Sequence, residues 1–235
     1  MEMPYAEKEA LAYSARFIKA GDGILQYWRT YKDNEEHCER LLNFIYEHGK
    51  IEPSCRRILD LGCGTGEFLF HVMNLWPDAD VTGINLFDSQ KIFAHELVKP
   101  HIRIGDIRDD EFLESFKYPY DAVFASYVVG HLTLPEYFKA LSKLVSPGGR
   151  VIQWDIRRPT PYSEKVIFGY TMYDPIEVYT EAKKHGFSFR AIPWNGSVVG
   201  KGPKAVLSQE DRRMFEENTR PVLYWGCRDG HSGQD

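Results

Sequence analysis

Between Arg57 and Ile156, short apolar runs alternate with stretches whose apolar residues recur every three or four positions, which predicts strands and helices in turn. Strands are expected at Arg57 to Leu61, Asp80 to Asn85, Ile102 to Gly105, Asp121 to Ser126 and Arg150 to Ile156. Helices are expected at Glu67 to Trp76, Asp88 to Val98, Asp109 to Phe116 and Pro135 to Val145. Past Ile156 the rhythm loosens into an aromatic-rich, irregular insert over residues 157–174. A helix from Pro175 to His185, a strand at Phe187 to Ile192, a helix capped by Ser208 or Asp211 and a last strand from Pro221 to Cys227 follow. Strands that alternate with helices pair in parallel, so the expected α/β fold is a mostly parallel seven-stranded sheet with helices on both faces.

Ahead of this core, Tyr5 to Tyr31 is aromatic and mixed in charge, and Gly21-Asp-Gly23 divides it into two short helical pieces. Leu41, Leu42, Ile45 and Tyr46 then recur at helical spacing, so residues 1–50 are expected to be a helical cover in front of the sheet. Residues 51–228 form the main domain and 229–235 a polar tail. With 235 residues, 43% of them hydrophobic, the chain can bury a core without cross-links. A net charge of −5 and the absence of any lysine- or arginine-rich run argue against a nucleic-acid partner. No apolar run approaches the ~20 residues that cross a bilayer, and no basic-then-apolar opening is visible. A cytoplasmic protein with a small-molecule substrate and no membrane insertion is expected. The four cysteines lack metal-ligand spacing and read as reduced thiols, with no metal site.

Chemistry concentrates at Asp60-Leu-Gly62-Cys63-Gly64-Thr-Gly66-Glu67, where a buried strand breaks into three alternate glycines and a helix begins. Such glycines permit positive φ and let a ligand lie against backbone. The helix behind them presents unpaired N–H groups and a positive dipole end, which suit a carboxylate. A dinucleotide fingerprint would need a small residue where Glu67 stands, and a glutamate there is too bulky and wrongly charged beside a pyrophosphate.

Asp60 with Gly62, Gly64 and Gly66 resembles motif I of the class I S-adenosylmethionine (SAM)-dependent methyltransferases. Val81-Thr-Gly-Ile-Asn85-Leu86-Phe-Asp-Ser-Gln90 resembles the second-strand end of the cyclopropane-synthase and sterol or isoprenyl C-methyltransferase branch, where this segment holds the ribose of SAM and flanks its adenine. Gly105-Asp106-Ile107 is similar to the third-strand end, whose acid receives the adenine amine. Phe124-Ala-Ser126-Tyr127 is similar to the fourth-strand segment, whose backbone carbonyl meets the ammonium of SAM. Leu144-Val-Ser-Pro-Gly-Gly149 is similar to the entry into the fifth strand. The resemblance spans roughly Cys55 to Ile156 and implies a Rossmann-like sheet and SAM as cofactor. The implied contacts are Asp60, Gly62, Cys63, Gly64, Gly66, Asn85, Leu86, Gln90, Asp106, Ile107 and Ser126. Most class I members carry Asp or Glu where Asn85 stands, so the charge-assisted bond to the ribose is lost here.

Ligands in such sheets lie beyond the strands' carboxyl ends, which makes Asp155, His131 and Tyr27 candidate proton acceptors. His131 reads equally as a packed, hydrogen-bonded histidine and Asp155 as a structural acid. Trp28 and Tyr127 are candidate substrate contacts or ordinary core aromatics, and Arg157 with Arg158 either clamps an anion bidentately or sits in solvent. The expected function is methyl transfer from SAM to a small molecule, with a carbon acceptor on a hydrophobic or isoprenoid-like substrate. The alternatives are an O- or N-methyltransferase of a small metabolite and a SAM-binding regulatory protein without turnover.

Overall fold

The computed structural model describes residues 55–91, 94–126, 128–157, 166–167, 170–193 and 220–228. The N-terminal cover expected over residues 1–50, the helix expected after residue 208 and the polar tail all lie outside the described residues.

Strand β1 (Arg57–Leu61) starts where the Asp121 carboxylate accepts the backbone N–H groups of Arg56 and Arg57 at 2.8 and 3.0 Å. It runs parallel to β2 (Asp80–Asn85) on one side and β4 (Tyr120–Ser126) on the other. Beyond β2 lies β3 (Ile102–Ile104), and beyond β4 lies β5 (Val145–Arg157), both parallel to their neighbours. Next to β5 comes β9 (Arg220–Arg228), antiparallel, and then β8 (Phe187–Pro193), antiparallel to β9. The seven-stranded order is therefore β3-β2-β1-β4-β5-β9-β8.

Alternation along the strands sends odd and even residues to opposite faces. Ile58, Ala122, Phe124 and Ile152 pack with Leu69 and Val72 of α1 (Glu67–Leu75). Leu59, Leu61, Val123, Ala125 and Val151 pack on the other face against Phe138 and Leu141 of α4 (Leu134–Leu144) and Val178 and Ala182 of α5 (Pro175–Lys184). Each fully buried aliphatic side chain contributes about 1.5–3 kcal/mol, so these two layers hold the sheet in register and leave its carboxyl edge for polar groups.

Three expectations need correction. The helix from Asp88 is only α2 (Asp88–Lys91). It does not reach Val98, because Ala94, Val98 and Ile102 are drawn into the core on the α1 face and the chain turns there through a 3₁₀ segment at Lys99–His101. The helix expected at Asp109 to Phe116 is the shorter α3 (Asp110–Glu114), capped by the Asp109 side chain. Pairing in β5 begins at Val145 rather than Arg150, since Val145 already pairs with Tyr120 and an irregularity between Tyr120 and Ala122 absorbs the Pro-Gly-Gly turn. Within the expected irregular insert, β6 (Val166–Ile167) and β7 (Tyr170–Thr171) form a short antiparallel ribbon.

Candidate functional site

Parallel pairing lines up the ends of β1, β2, β4 and β5: Leu61 stands beside Ile84 and Ala125, and Ala125 beside Gln153. The glycine corner after β1, Asn85, Asp106 after β3, Ser126 and Asp155 therefore share one edge of the sheet.

The corner is built from backbone. Gly62, Gly64 and Gly66 all have positive φ, and the N–H groups of Gly62 and Cys63 both donate to the Ile84 carbonyl at 2.8 and 3.0 Å. A Cβ at Gly62 would collide with the Val128 side chain, and one at Gly66 would stand 2.5 Å from Val98 Cγ1. Two of the glycines are thus demanded by packing against distant segments as much as by the turn. Gly66, in the left-handed region, is the N-cap of α1 and has no side chain to cap it, so the positive dipole end of the helix is directed at the corner.

Asp60 is 3% exposed, and its Oδ2 has no hydrogen-bond partner among the described residues. Burial pushes its carboxyl up to about 7. Cys63 beside it is buried, and desolvation and then the Asp60 charge push its thiol up, which leaves it protonated and unreactive. An orphaned buried carboxylate oxygen, an uncapped helix start and a backbone corner together fit a ligand that carries an ammonium and a carboxylate, as SAM does.

Further along the edge, Asn85 is buried and its carboxamide donates to the Phe87 carbonyl at 3.0 Å. The next residue, Leu86, is 40% exposed, an apolar surface that a flat base can cover. Asp106, expected to receive an adenine amine, is held by Arg108: Nε reaches both carboxylate oxygens at 2.9 Å and a terminal nitrogen reaches Oδ2 at 2.6 Å. That grip holds the Asp106 carboxyl below its usual range. Ile107 is buried in the core on the α4 face. Gln90 falls in α2, and Ser126 ends β4, half-buried.

Of the candidate proton acceptors, Asp155 is 2% exposed and lies one residue past the pairing of Ser126 with Trp154. Its Oδ2 accepts a 3.1 Å hydrogen bond from Gln153 Nε2. His131 is exposed, in a 3₁₀ turn at Val129–His131. Arg157 closes β5, while Tyr27, Trp28, Tyr127 and Arg158 lie outside the described residues. Sequence reasoning missed Gln153, Tyr137 and Arg108. Gln153 was discoverable, because a polar residue two positions before Asp155 on a strand must share its face. Tyr137 sits at helical spacing among apolar residues and reads as core, and nothing local foretells that Arg108 folds back on Asp106. Among the described residues no group of three His, Cys, Asp or Glu side chains is disposed to hold a metal, and no helix is long and apolar enough to cross a membrane.

Residues 59–151 match the methyltransferase-domain family. No curated protein matches the sequence. Among solved structures, geranyl diphosphate C-methyltransferase from Streptomyces coelicolor, in complex with Mg2+, geranyl diphosphate and S-adenosyl-L-homocysteine (SAH), superposes with a TM-score of 0.69 at 12% identity, over 97% of this chain and 100% of that one. The O-methyltransferase of a Brevibacillus brevis polyketide synthase, with SAH, gives 0.60 at 16% identity over 77% and 69% of the two chains. The [4+2]-cyclase SpnF gives 0.62 at 15% identity over 81% and 80%. At such identities these likenesses establish the fold.

Proposed function

We propose, for a chain that is a SAM-dependent methyltransferase of small molecules, that the methyl acceptor is a carbon atom on a hydrophobic, isoprenoid-like substrate. When bound, SAM supplies an electrophilic methyl group and leaves as SAH. The glycine corner and the open start of α1 receive the cofactor's carboxylate, and Asp60 receives its ammonium. Leu86 covers one face of the adenine. Asn85 holds the ribose, its amide in place of the acid that most class I members use. Asp106 meets the adenine amine with Arg108 at its back.

Methyl transfer to a carbon leaves that acceptor with a proton that must pass to a base, and a carbocation-like acceptor needs that base held next to it, out of water. The observation that carries the carbon assignment is Asp155, a carboxylate kept out of water at the carboxyl end of β5, which we assign as the proton acceptor. His131 is too exposed for that task to be its main one. The likeness to geranyl diphosphate C-methyltransferase, which runs the full length of that protein, supports an isoprenoid-like acceptor. Arg157, the last residue of β5, and Arg158, next to it in sequence, supply the guanidinium groups suited to the anionic end of such a substrate.

The test is product mapping with methyl-labelled SAM and a panel of allylic diphosphates, phenols and amines. Label on a carbon of an allylic diphosphate is expected, with Asp155→Asn losing at least about 100-fold in kcat while binding SAH normally. Label on oxygen or nitrogen would overturn the carbon assignment, in favour of the chemistry named for the Brevibacillus relative.

A further inference from the structure

Beneath Asp155 lies a buried polar set that stability alone does not explain. Tyr137, in the first turn of α4, is 0% exposed, and its hydroxyl has no hydrogen-bond partner among the described residues. Gln153 is 1% exposed; its Nε2 is spent on Asp155, and its Oε1 has no partner among the described residues. One of these orphaned atoms is a donor and the other an acceptor. Leaving a buried polar atom unmet costs about 1–3 kcal/mol, and phenylalanine or methionine would fill either place with no such cost. Two costly groups gathered beside one interior carboxylate point to a shared task.

We propose that Tyr137 and Gln153 are positioning residues for the Asp155 carboxylate, together fixing its orientation and proton affinity at the end of β5. The inference rests on Asp155 being the proton acceptor. Gln153 grips one oxygen directly. The Tyr137 hydroxyl lies within electrostatic reach: besides its burial, the Asp155 charge drives its own ionisation upward. The Gln153 hydrogen bond stabilises the ionised carboxylate directly, and the dipole of the Tyr137 hydroxyl acts on it through space, so both residues keep Asp155 ready to accept a proton. Tyr173, ahead of α5, also feels the Asp155 charge, together with those of Glu177 and Glu136, while its hydroxyl donates to the Leu132 carbonyl at 2.7 Å. From β9, Val222 and Tyr224 stand in register with Asp155 and Gln153.

Difference infrared spectroscopy of the full chain reads this without any acceptor. The protonated carboxyl band that disappears in Asp155→Asn belongs to Asp155, and its titration midpoint is followed between about pH 4 and pH 10. Tyr137→Phe and Gln153→Met are each expected to raise that midpoint by about one pH unit, with Tm unchanged or higher. A midpoint unmoved in both variants, or a band that never titrates, overturns the positioning role. Should Gln153→Met not fold, Tyr137→Phe decides alone. Whether Asp155 is the proton acceptor is judged separately: wild-type turnover by Asp155→Asn would end that assignment while a shifted midpoint would leave the hydrogen-bonded set standing.

Discussion

A carboxyl group sealed at the end of a strand is comfortable only when it is neutral or when a cation meets it, and Asp60 is such a group. Its folded pKa of about 7 lies above the ordinary value of 3.8, so between those limits the folded chain holds a proton that the unfolded chain has released. The contribution of Asp60 to stability is therefore greatest below the lower limit, falls as pH rises toward 7 and is level above it, a loss of roughly 4 kcal/mol from this group. Asp60→Asn should escape this loss. The stability gap between variant and parent, measured by urea denaturation, is expected to open between pH 4 and 7 and to favour the variant at pH 8 by up to about 4 kcal/mol. If Asp60 receives the cofactor's ammonium as proposed, calorimetry of Asp60→Asn with SAH should show the opposite cost, about tenfold or more weaker binding. Asp60 and the three glycines were legible in the sequence, since a polar residue at a strand end followed by alternate glycines has few purely local explanations. The hold of Arg108 on Asp106 was not, because it depends on a side-chain conformation that neither residue type dictates.

At the level of elements, local signals set helix starts well and helix ends less well. Helix α4 begins with a capping box in which the Thr133 side chain accepts from Glu136 N–H and the Glu136 carboxylate accepts from Thr133 N–H at 2.8 Å. Thr133→Ala is expected to cost about 1 kcal/mol, read from the urea midpoint with an unchanged m-value. The same box, Asp174 with Glu177, opens α5. Helix α2 shows the opposite case: its apolar residues continue the helical spacing toward Val98, yet the chain leaves the helix so that Val98 and Ile102 can press against Gly66. Tertiary packing overrode a weak local preference there.

Across the whole molecule, the last strand of the chain was legible in the sequence, but its place in the sheet, between β5 and β8, was not. β9 joins β5 to β8 and is antiparallel to both, so a chain cut after residue 219 would leave two strand edges unpaired. Such a truncation is expected to abolish soluble expression or cooperative unfolding, checked by size-exclusion chromatography and circular dichroism; a folded, monomeric product would contradict it. The sequence by itself determined the strands β1 and β2, the glycine turn between β1 and α1 and the parallel core, because these follow from periodicity and backbone freedom within a few residues; the cofactor was indicated by the resemblance of that turn to the methyltransferase motif. Only the tertiary structure decided that Asp60 is sealed from water, that Tyr137 of α4 is buried within reach of the Asp155 charge, and that β9 slips in beside β5. Each of those depends on partners tens of residues apart, brought together by packing that no local pattern encodes.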